Sequence, residues 1–254
     1  MANILFDLIK NGAQVFGVVV SKNPPPGSFE CHLHDYLSQM RINVVLDVGA
    51  FVGNYALQLR RIGYQGRIIS FEPVPASYEK LIHAMGKDPL WVGYPFGLSD
   101  ENREALMNTH SSGDFNSLLT LREDAEYAYV LDPAGRGQAN IQLKRLDAVL
   151  PQLIEKIESP RIFIKIDTQG HDLSVLKGAS GVIDSILGFQ SELPAVRLYD
   201  DMPSMATLLD YYGSCKFVPI GFYPVNTFRY LRVSPEFDVL FNRFEGTLQR
   251  SQVI

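Results

Sequence analysis

A short apolar segment that runs into two glycines and then into a helical stretch constrains the fold most strongly. Residues Asn43–Val48 are mostly apolar, Gly49 and Gly53 follow with three residues between them, and Asn54–Ile62 has helical periodicity. Glycines at such a turn let the backbone reverse sharply and approach a ligand closely. The segment therefore predicts the first strand, the ligand-binding turn and the first helix of an α/β domain.

Short apolar runs alternate with helical stretches along the rest of the chain, which is typical of parallel strands joined by helical crossovers. We predict strands at Arg67–Phe71, Trp91–Phe96, Arg161–Ile166, Ile186–Glu192, Lys216–Phe222 and Phe237–Asn242. We predict helices at Ala76–Met85, Asp147–Glu158, Leu173–Lys177 and Met205–Tyr212. The expected fold class is α/β, with a Rossmann-like, mostly parallel sheet and helices on both faces.

Two segments interrupt this alternation. In residues 1–28, Met1 to Val20 carries apolar residues at helical spacing, and a proline-rich break follows. Residues 99–140 are polar and rich in glycine, and we expect an irregular insertion, part of which forms a lid or substrate loop. The main domain is therefore expected over residues 29–254.

Charge and cysteine content narrow the class of function. The 254 residues carry a formal net charge of −5, whereas proteins that grip phosphate backbones usually carry a basic excess, so no nucleic-acid partner is expected. The only two cysteines, Cys31 and Cys215, form no metal-binding pair and predict a reducing, cytoplasmic location. No apolar run reaches the roughly 18 residues of a membrane span, and the N-terminus lacks the features of a signal peptide.

Two carboxylates accompany the first two predicted strands. Asp47 precedes the glycines, and Glu72 ends the second strand, where Rossmann-like folds bind the ribose hydroxyls of adenosine cofactors. Pro73 fixes the turn that follows. The dinucleotide fingerprint Gly-x-Gly-x-x-Gly is absent, and an acidic residue at the turn suits a ligand with a positive charge, such as the amino group of S-adenosylmethionine (SAM). The pair predicts an adenosine-containing cofactor.

A polar cluster follows the fourth predicted strand of the main alternation. Asp167, Gln169, His171 and Asp172 crowd one turn, and Glu192 ends the neighbouring strand. Because the carboxyl ends of parallel strands face the ligand crevice, we expect these groups at the active rim. They suit a hard-ligand metal site or an acid–base cluster without metal, and the sequence leaves both open.

Several blocks of this sequence occur together in one known family. The most specific are Ile166–Leu173 (IDTQGHDL) and Val175–Ala179 (VLKGA), and Asp47–Tyr55, Phe71–Pro73 and Phe237–Phe241 accompany them. Over roughly Asn43 to Arg243 the chain resembles the FkbM family of SAM-dependent methyltransferases. It departs from the family pattern at Phe51, where Asn is frequent, and at Thr168, where Val is frequent.

The resemblance implies the class I methyltransferase fold, a seven-stranded sheet whose last strand is antiparallel. It also implies SAM as cofactor and O-methylation of a hydroxyl on a sugar, glycan or natural product. We predict cofactor contacts from Asp47, Gly49, Ala50, Gly53, Asn54, Glu72, Pro73, Ser117 and Asp167. We predict that His171 takes the proton of the acceptor hydroxyl, held by Asp167 or Glu192. The alternative is a divalent ion such as Mg²⁺ on Asp167 and Glu192.

Two rival functions remain open on the sequence alone. An NAD-dependent oxidoreductase has the same kind of adenosine site but requires the Gly-x-Gly-x-x-Gly fingerprint, which is absent here. A non-catalytic SAM- or glycan-binding protein predicts cofactor binding without transfer to a hydroxyl. The sequence also leaves the oligomeric state open, with Met1 to Val20 as one surface that a homo-oligomer could use.

Overall fold

A computed structural model of the protein describes residues 24–111, 113, 115–122, 135–225 and 236–244. The predicted N-terminal helix, Met1 to Val20, lies outside this part of the chain, and so does the segment 123–134 of the predicted insertion. The division into an extension, a main domain and a lid therefore stays a prediction. None of the helices in the described part is long and apolar enough to cross a membrane.

Ten strands of the described chain form two sheets. They are β1 (Val44–Val48), β2 (Arg67–Phe71), β3 (Trp91–Tyr94), β4 (Gly97–Leu98), β5 (Arg103–His110), β6 (Arg136–Lys144), β7 (Ile162–Ile166), β8 (Ile186–Pro194), β9 (Phe217–Val225) and β10 (Glu236–Arg243). The main sheet has the order β3-β2-β1-β7-β8-β10-β9. β1 pairs in parallel with β2 and β7, whereas β10 is antiparallel to β8 and β9. The predicted seven-stranded sheet with an antiparallel last strand is confirmed.

Within the described residues, six α-helices cover the two faces of this sheet. They are α1 (Phe29–Gln39), α2 (Asn54–Arg61), α3 (Pro75–Met85), α4 (Leu146–Ile154), α5 (Asp172–Lys177) and α6 (Met205–Ser214). Buried residues of α1, α2 and α3 pack on one face, and those of α4, α5 and α6 pack on the other. β1 and β7 are buried at every position because both faces are covered, which explains their almost continuous apolar sequences.

The insertion that was predicted to be irregular contains strands near both of its ends. β5 and β6 pair antiparallel over eight residue pairs, and β4 joins β6 in parallel to complete a second, three-stranded sheet. Periodicity missed these strands because most of their side chains are polar or partly exposed, so no apolar run marks them. The second sheet leads the chain from β3 back to α4 and borders the site described next.

Candidate active site

A cavity of about 620 Å³ lies at the carboxyl ends of β1, β2, β7 and β8, bordered by the second sheet. The predicted site residues that line it are Gly49, Glu72, Pro73, Asp167, His171 and Glu192. The predicted cofactor residues Asp47, Ala50, Gly53, Asn54 and Ser117 are not among the described residues of its wall. The cavity thus combines predicted residues from the ends of β1 and β2 with predicted residues from the ends of β7 and β8. The other five predicted cofactor residues lie outside its described wall.

Gly49 is the position where the glycine loop passes closest to β7. Its φ of +74° is a conformation that L-residues rarely adopt, and an ideal Cβ there would lie 1.9 Å from the Asp167 carbonyl oxygen. The Gly49 and Ala50 N–H groups both donate to the Phe71 carbonyl at 3.1 Å. The loop is therefore tied to the ends of both neighbouring strands, and only glycine fits at its first position.

Gly53 and Asn54 build this turn without reaching the cavity. Gly53 has a φ of +94°, and an ideal Cβ there would lie 3.1 Å from Leu81 Cδ1, so the residue lets α2 pack against α3. Asn54 is the first residue of α2. The role that the structure gives these two predicted cofactor residues is to shape the loop.

Glu72 lies at the cavity floor with both carboxylate oxygens in use. Oε2 accepts from the Phe51 N–H and Oε1 from the Val74 N–H, each at 2.9 Å. Burial raises the pKa of this carboxyl to about 7, although the two N–H donors oppose the shift. The hydrogen bonds hold the carboxylate at the end of β2, where the wall of the cavity begins.

Asp47 corrects one expectation from the sequence. Its side chain is fully buried on the sheet face that α1, α2 and α3 cover, and it is not aimed at the cavity. Ser70 Oγ donates to Asp47 Oδ2 at 3.0 Å, and the Lys165 Nζ lies 3.7 Å from Oδ1. The cation next to Asp47 in the structure is therefore the Lys165 ammonium, its register partner on β7.

Lys165 is a central residue of the site that sequence reasoning missed. Its Nζ donates to the Gly49 carbonyl at 2.9 Å and lies 3.2 Å from Asp167 Oδ2. Burial lowers the pKa of this ammonium, but Asp167 and Asp47 more than offset that effect and hold the pKa above its ordinary value. One lysine inside the apolar strand Ile162–Ile166 was the available signal, because a buried lysine requires carboxylate partners.

Gln169 joins the two predicted catalytic carboxylates. Its Nε2 donates to Asp167 Oδ1 at 3.1 Å and to Glu192 Oε2 at 3.4 Å, while its Oε1 accepts from the Tyr199 hydroxyl at 2.8 Å. Ser117 Oγ donates to the Gln169 carbonyl at 2.7 Å, so this predicted cofactor residue supports the turn from behind. Gln169 was part of the noted polar cluster, but its bridging role depends on Glu192 and Tyr199, which only the fold brings near.

Glu192 is a buried carboxyl in an acidic environment. Burial and the charges of Asp167, Glu236 and Asp238 raise its pKa well above the ordinary value. Among the described residues no group of three or more His, Cys, Asp or Glu side chains could hold a metal ion. The Lys165 ammonium already supplies the positive charge next to Asp167, so the residues present do not support the predicted Mg²⁺ site.

His171 lines the cavity directly before α5, and its hydrogen-bonding partner differs from the predicted one. Its Nε2 lies 2.9 Å from Ser99 Oγ, and the structure records no hydrogen bond from its ring to Asp167 or Glu192. Burial lowers the pKa of the imidazole to about 4. The ring is therefore neutral near pH 7, and Ser99, at the end of the second sheet's β4, holds one edge of it.

The LKGA block has a structural explanation in the same region. An ideal Cβ on Gly178, directly after α5, would lie 1.9 Å from the Ser99 carbonyl oxygen. Only glycine therefore lets the end of α5 approach the strand that carries the partner of His171. The two most specific sequence blocks therefore both approach Ser99, the first through the His171 ring and the second through Gly178.

Comparison with known proteins agrees with this geometry. The family of the methyltransferase FkbM domain matches residues 47–216, which contain the glycine loop, Glu72 and the whole Asp167–Gly178 region. This chain belongs to the FkbM methyltransferase family. The sheet order and the single antiparallel strand of this family member are those of class I SAM-dependent methyltransferases.

Two curated proteins resemble this FkbM domain over part of their length. Methyltransferase sdnD of Sordaria araneosa is 26% identical over 173 residues, which are 59% of this chain and 65% of sdnD. AMB antimetabolite synthetase AmbE of Pseudomonas aeruginosa is 28% identical over 168 residues, which are 53% of this chain and 8% of AmbE. This chain therefore spans less than two thirds of the length of either relative.

Solved structures with a similar fold are more distant in sequence. An rRNA methylase from Streptococcus thermophilus has a TM-score of 0.47 and 12% identity, covering 87% of this chain and 100% of that one. Fibrillarin from Aeropyrum pernix, in complex with SAM, has a TM-score of 0.42 and 10% identity, covering 78% of this chain and 66% of that one. Matches at this level carry no information about the acceptor of this chain.

Proposed function

We propose that the protein transfers the methyl group of SAM to a hydroxyl oxygen of a sugar, glycan or natural product. One observation carries the proposal. Four acidic side chains line the cavity, namely Glu72, Asp167, Glu192 and Glu236, and the described residues of its wall include no lysine or arginine. Such a wall favours a ligand with positive charge, and SAM carries a sulfonium and an ammonium group.

The residues present fit SAM. Gly49 has no side chain where the loop borders the cavity, so a ligand can approach its backbone. Glu72, at the end of β2, has the position from which a carboxylate accepts hydrogen bonds from ribose hydroxyls. Asp167 and Glu192 add acidic side chains on the β7 and β8 side. When bound there, SAM supplies an electrophilic methyl group.

The dimensions and walls of the cavity favour a small acceptor. Its volume of about 620 Å³ is within the range of roughly 300–1,000 Å³ that is usual for small-molecule sites. Met107, Phe115 and Leu118 give it an apolar side, and Gln169 and Asn116 offer hydrogen bonds. The neutral His171 ring supports a hydroxyl as the acceptor group, since an alcohol must lose a proton during methyl transfer.

The same cavity bears on the rival functions. The pyrophosphate of NAD is anionic and would meet four acidic side chains with no cationic side chain in the described wall, which disfavours the oxidoreductase. A non-catalytic SAM- or glycan-binding protein is the second candidate, because SAM binding alone does not require a base. The proposal also includes a cytoplasmic location, consistent with the two free cysteines, and a homo-oligomer as an open alternative to a monomer.

Replacement of His171 by glutamine tests the transfer step. With SAM labelled in its methyl group, a panel of sugars, oligosaccharides and natural-product alcohols identifies an acceptor, and amines and thiols serve as comparison acceptors. We then expect His171→Gln to lower kcat by about 10²- to 10⁴-fold, because the hydroxyl loses its base. The affinity for SAM is expected to stay the same.

His83→Gln is the matched control for that measurement, because His83 is exposed on α3 and is not among the residues that line the cavity. An unchanged kcat in His171→Gln contradicts the role of His171 as base. Labelling of amines or thiols, with no alcohol labelled, contradicts O-methyl transfer and leaves the cofactor assignment untouched.

A further inference from the structure

Ser99 and Asp100 form a chain of hydrogen bonds that ends on the His171 ring. Ser99 Oγ donates to Asp100 Oδ1 at 3.0 Å, and the same Oγ lies 2.9 Å from His171 Nε2. Ser99 is fully buried and does not belong to the described wall of the cavity, whereas His171 does. The chain therefore runs from the partly exposed Asp100, through the protein interior, to a group that faces the cavity.

Hydrogen bonding and close packing hold the backbone of Ser99 in place. Its backbone N–H donates to the Lys144 carbonyl at 2.9 Å, and its own carbonyl packs against Gly178 with no room for a side chain there. The backbone of Asp100 is also fixed, because its carbonyl accepts from Arg145 Nη1 at 2.6 Å. The backbone of both residues is therefore fixed next to His171.

The direction of these bonds follows from counting protons. A hydroxyl has one proton, and an ionised carboxylate can only accept, so the Ser99 proton goes to Asp100. The remaining lone pairs of Ser99 Oγ can only accept from His171. Nε2 must therefore be the nitrogen that carries the ring proton, and Nδ1 is left as the unprotonated nitrogen.

We propose that Asp100 and Ser99 are positioning residues that fix His171 as the Nε2–H tautomer, so that Nδ1 is the nitrogen offered to the acceptor. The role of Nδ1 toward the acceptor rests on the proposed methyltransferase function. The tautomer itself does not depend on a bound ligand. It replaces the expectation that Asp167 or Glu192 holds the ring, since both are engaged by Gln169.

The chemistry balances with this assignment. An oxygen lone pair of the acceptor forms the bond to the methyl carbon, and the carbon–sulfur bond breaks with its electrons going to sulfur. The acceptor proton moves to Nδ1 of His171, so one positive charge disappears from the sulfonium and one appears on the imidazole. Asp100 faces that new charge favourably, and Arg103 opposes it.

The tautomer can be measured directly by nuclear magnetic resonance. Long-range proton–nitrogen correlation spectra of protein with ¹⁵N-labelled histidine distinguish a protonated from an unprotonated ring nitrogen. His171→Gln assigns the signal among the five histidines. At pH 7 we expect a protonated Nε2 and an unprotonated Nδ1 in the wild type.

Two variants test the two links of the chain. In Asp100→Asn the amide can donate to Ser99 Oγ, which frees the serine proton for Nε2, so we expect the Nδ1–H form to appear. In Ser99→Ala the acceptor of Nε2–H is gone, and we expect the single-tautomer pattern to be lost. Glu101→Gln is the matched control, because it removes an exposed neighbouring charge without touching Ser99, and it should leave the tautomer unchanged.

A wild-type His171 with its proton on Nδ1, or an Asp100→Asn variant with an unaltered tautomer, overturns the proposal. If Ser99→Ala does not fold, as its melting curve will show, Asp100→Asn still decides. A SAM titration of the same samples separates this proposal from the proposed function. SAM binding with the wrong tautomer refutes only the positioning chain, whereas the right tautomer without SAM binding refutes only the methyltransferase.

Discussion

Replacing Lys165 by methionine is expected to lower the free energy of unfolding by about 3–5 kcal/mol at pH 7, because it leaves buried carboxylates without their positive partner. Asp47 is fully buried and has no hydrogen-bond partner on Oδ1, so the Lys165 ammonium is the main compensation for its charge. Asp167 and the Gly49 carbonyl lose the same partner. Chemical denaturation of the two proteins measures the difference.

The pH dependence of this variant has a definite sign. Burial already raises the pKa of Asp47, and loss of Lys165 raises it further. A carboxyl whose pKa is higher in the folded state contributes stability at low pH that is lost as pH rises through the folded pKa. The deficit of Lys165→Met against the wild type should therefore shrink as the pH falls from 8 toward 5.

Two controls accompany the measurement. Lys80→Met removes an exposed lysine on α3 and should change the free energy of unfolding by less than about 0.5 kcal/mol. The double variant Lys165→Met with Asp47→Asn removes both charges and should recover part of the loss. A Lys165→Met protein as stable as the wild type contradicts the ion-pair arrangement beneath the glycine loop.

Gly49→Ala is the second change with a large expected effect. We expect it to lower the free energy of unfolding by about 3 kcal/mol or more, since a left-handed backbone costs an L-residue roughly 1–2 kcal/mol and the clash comes on top. The new Cβ would lie 1.9 Å from the Asp167 carbonyl oxygen, so β1 and β7 must separate at the cavity floor. SAM affinity should therefore fall at least about tenfold.

Gly63→Ala measures the cost of the left-handed backbone conformation without a steric clash. Gly63 also has a positive φ, +95°, but nothing lies within 4 Å of its ideal Cβ. We expect it to cost roughly 1–2 kcal/mol and to leave SAM binding unchanged. Equal losses in the two variants would show that close approach to Asp167 plays no part at Gly49.

The main sheet was predictable because its signals are local. β1, the glycine turn and α2 are encoded within Asn43–Ile62, and the observed strand and helix differ from the predicted ones by one residue each. Most other elements agree within three residues. α4 is an exception, ending at Ile154 because a turn from Ile154 to Ile157 replaces the last predicted turn of helix.

The second sheet and the partners of the site residues were not predictable in the same way. β5 and β6 hold each other through backbone pairing, and their side chains show no apolar period. The partners Asp47 and Lys165, and likewise Ser99 and His171, are far apart in the chain. Sequence alone could mark each of these residues as unusual, but only the register of the sheets makes them neighbours.

The prediction for Asp47 failed for a related reason. Its place before the glycines indicated contact with a cofactor, yet it is the fourth residue of β1 and its side chain follows the alternation of the strand. That alternation turns Asp47 toward α2, whereas Gly49 and Glu72, which directly follow the ends of β1 and β2, line the cavity. The motif was recognised correctly, while the direction of one side chain depended on where the strand ends.

Calorimetric titration with SAM, S-adenosylhomocysteine and NAD at pH 8 tests the central claim most directly. We expect about micromolar SAM binding without added Mg²⁺, weakened about 10- to 100-fold in Glu72→Gln, since a hydrogen bond to a charged group contributes about 1.5–3 kcal/mol. Glu79→Gln, an exposed carboxyl on α3, should bind SAM like the wild type. Binding of NAD with no binding of SAM would contradict the account.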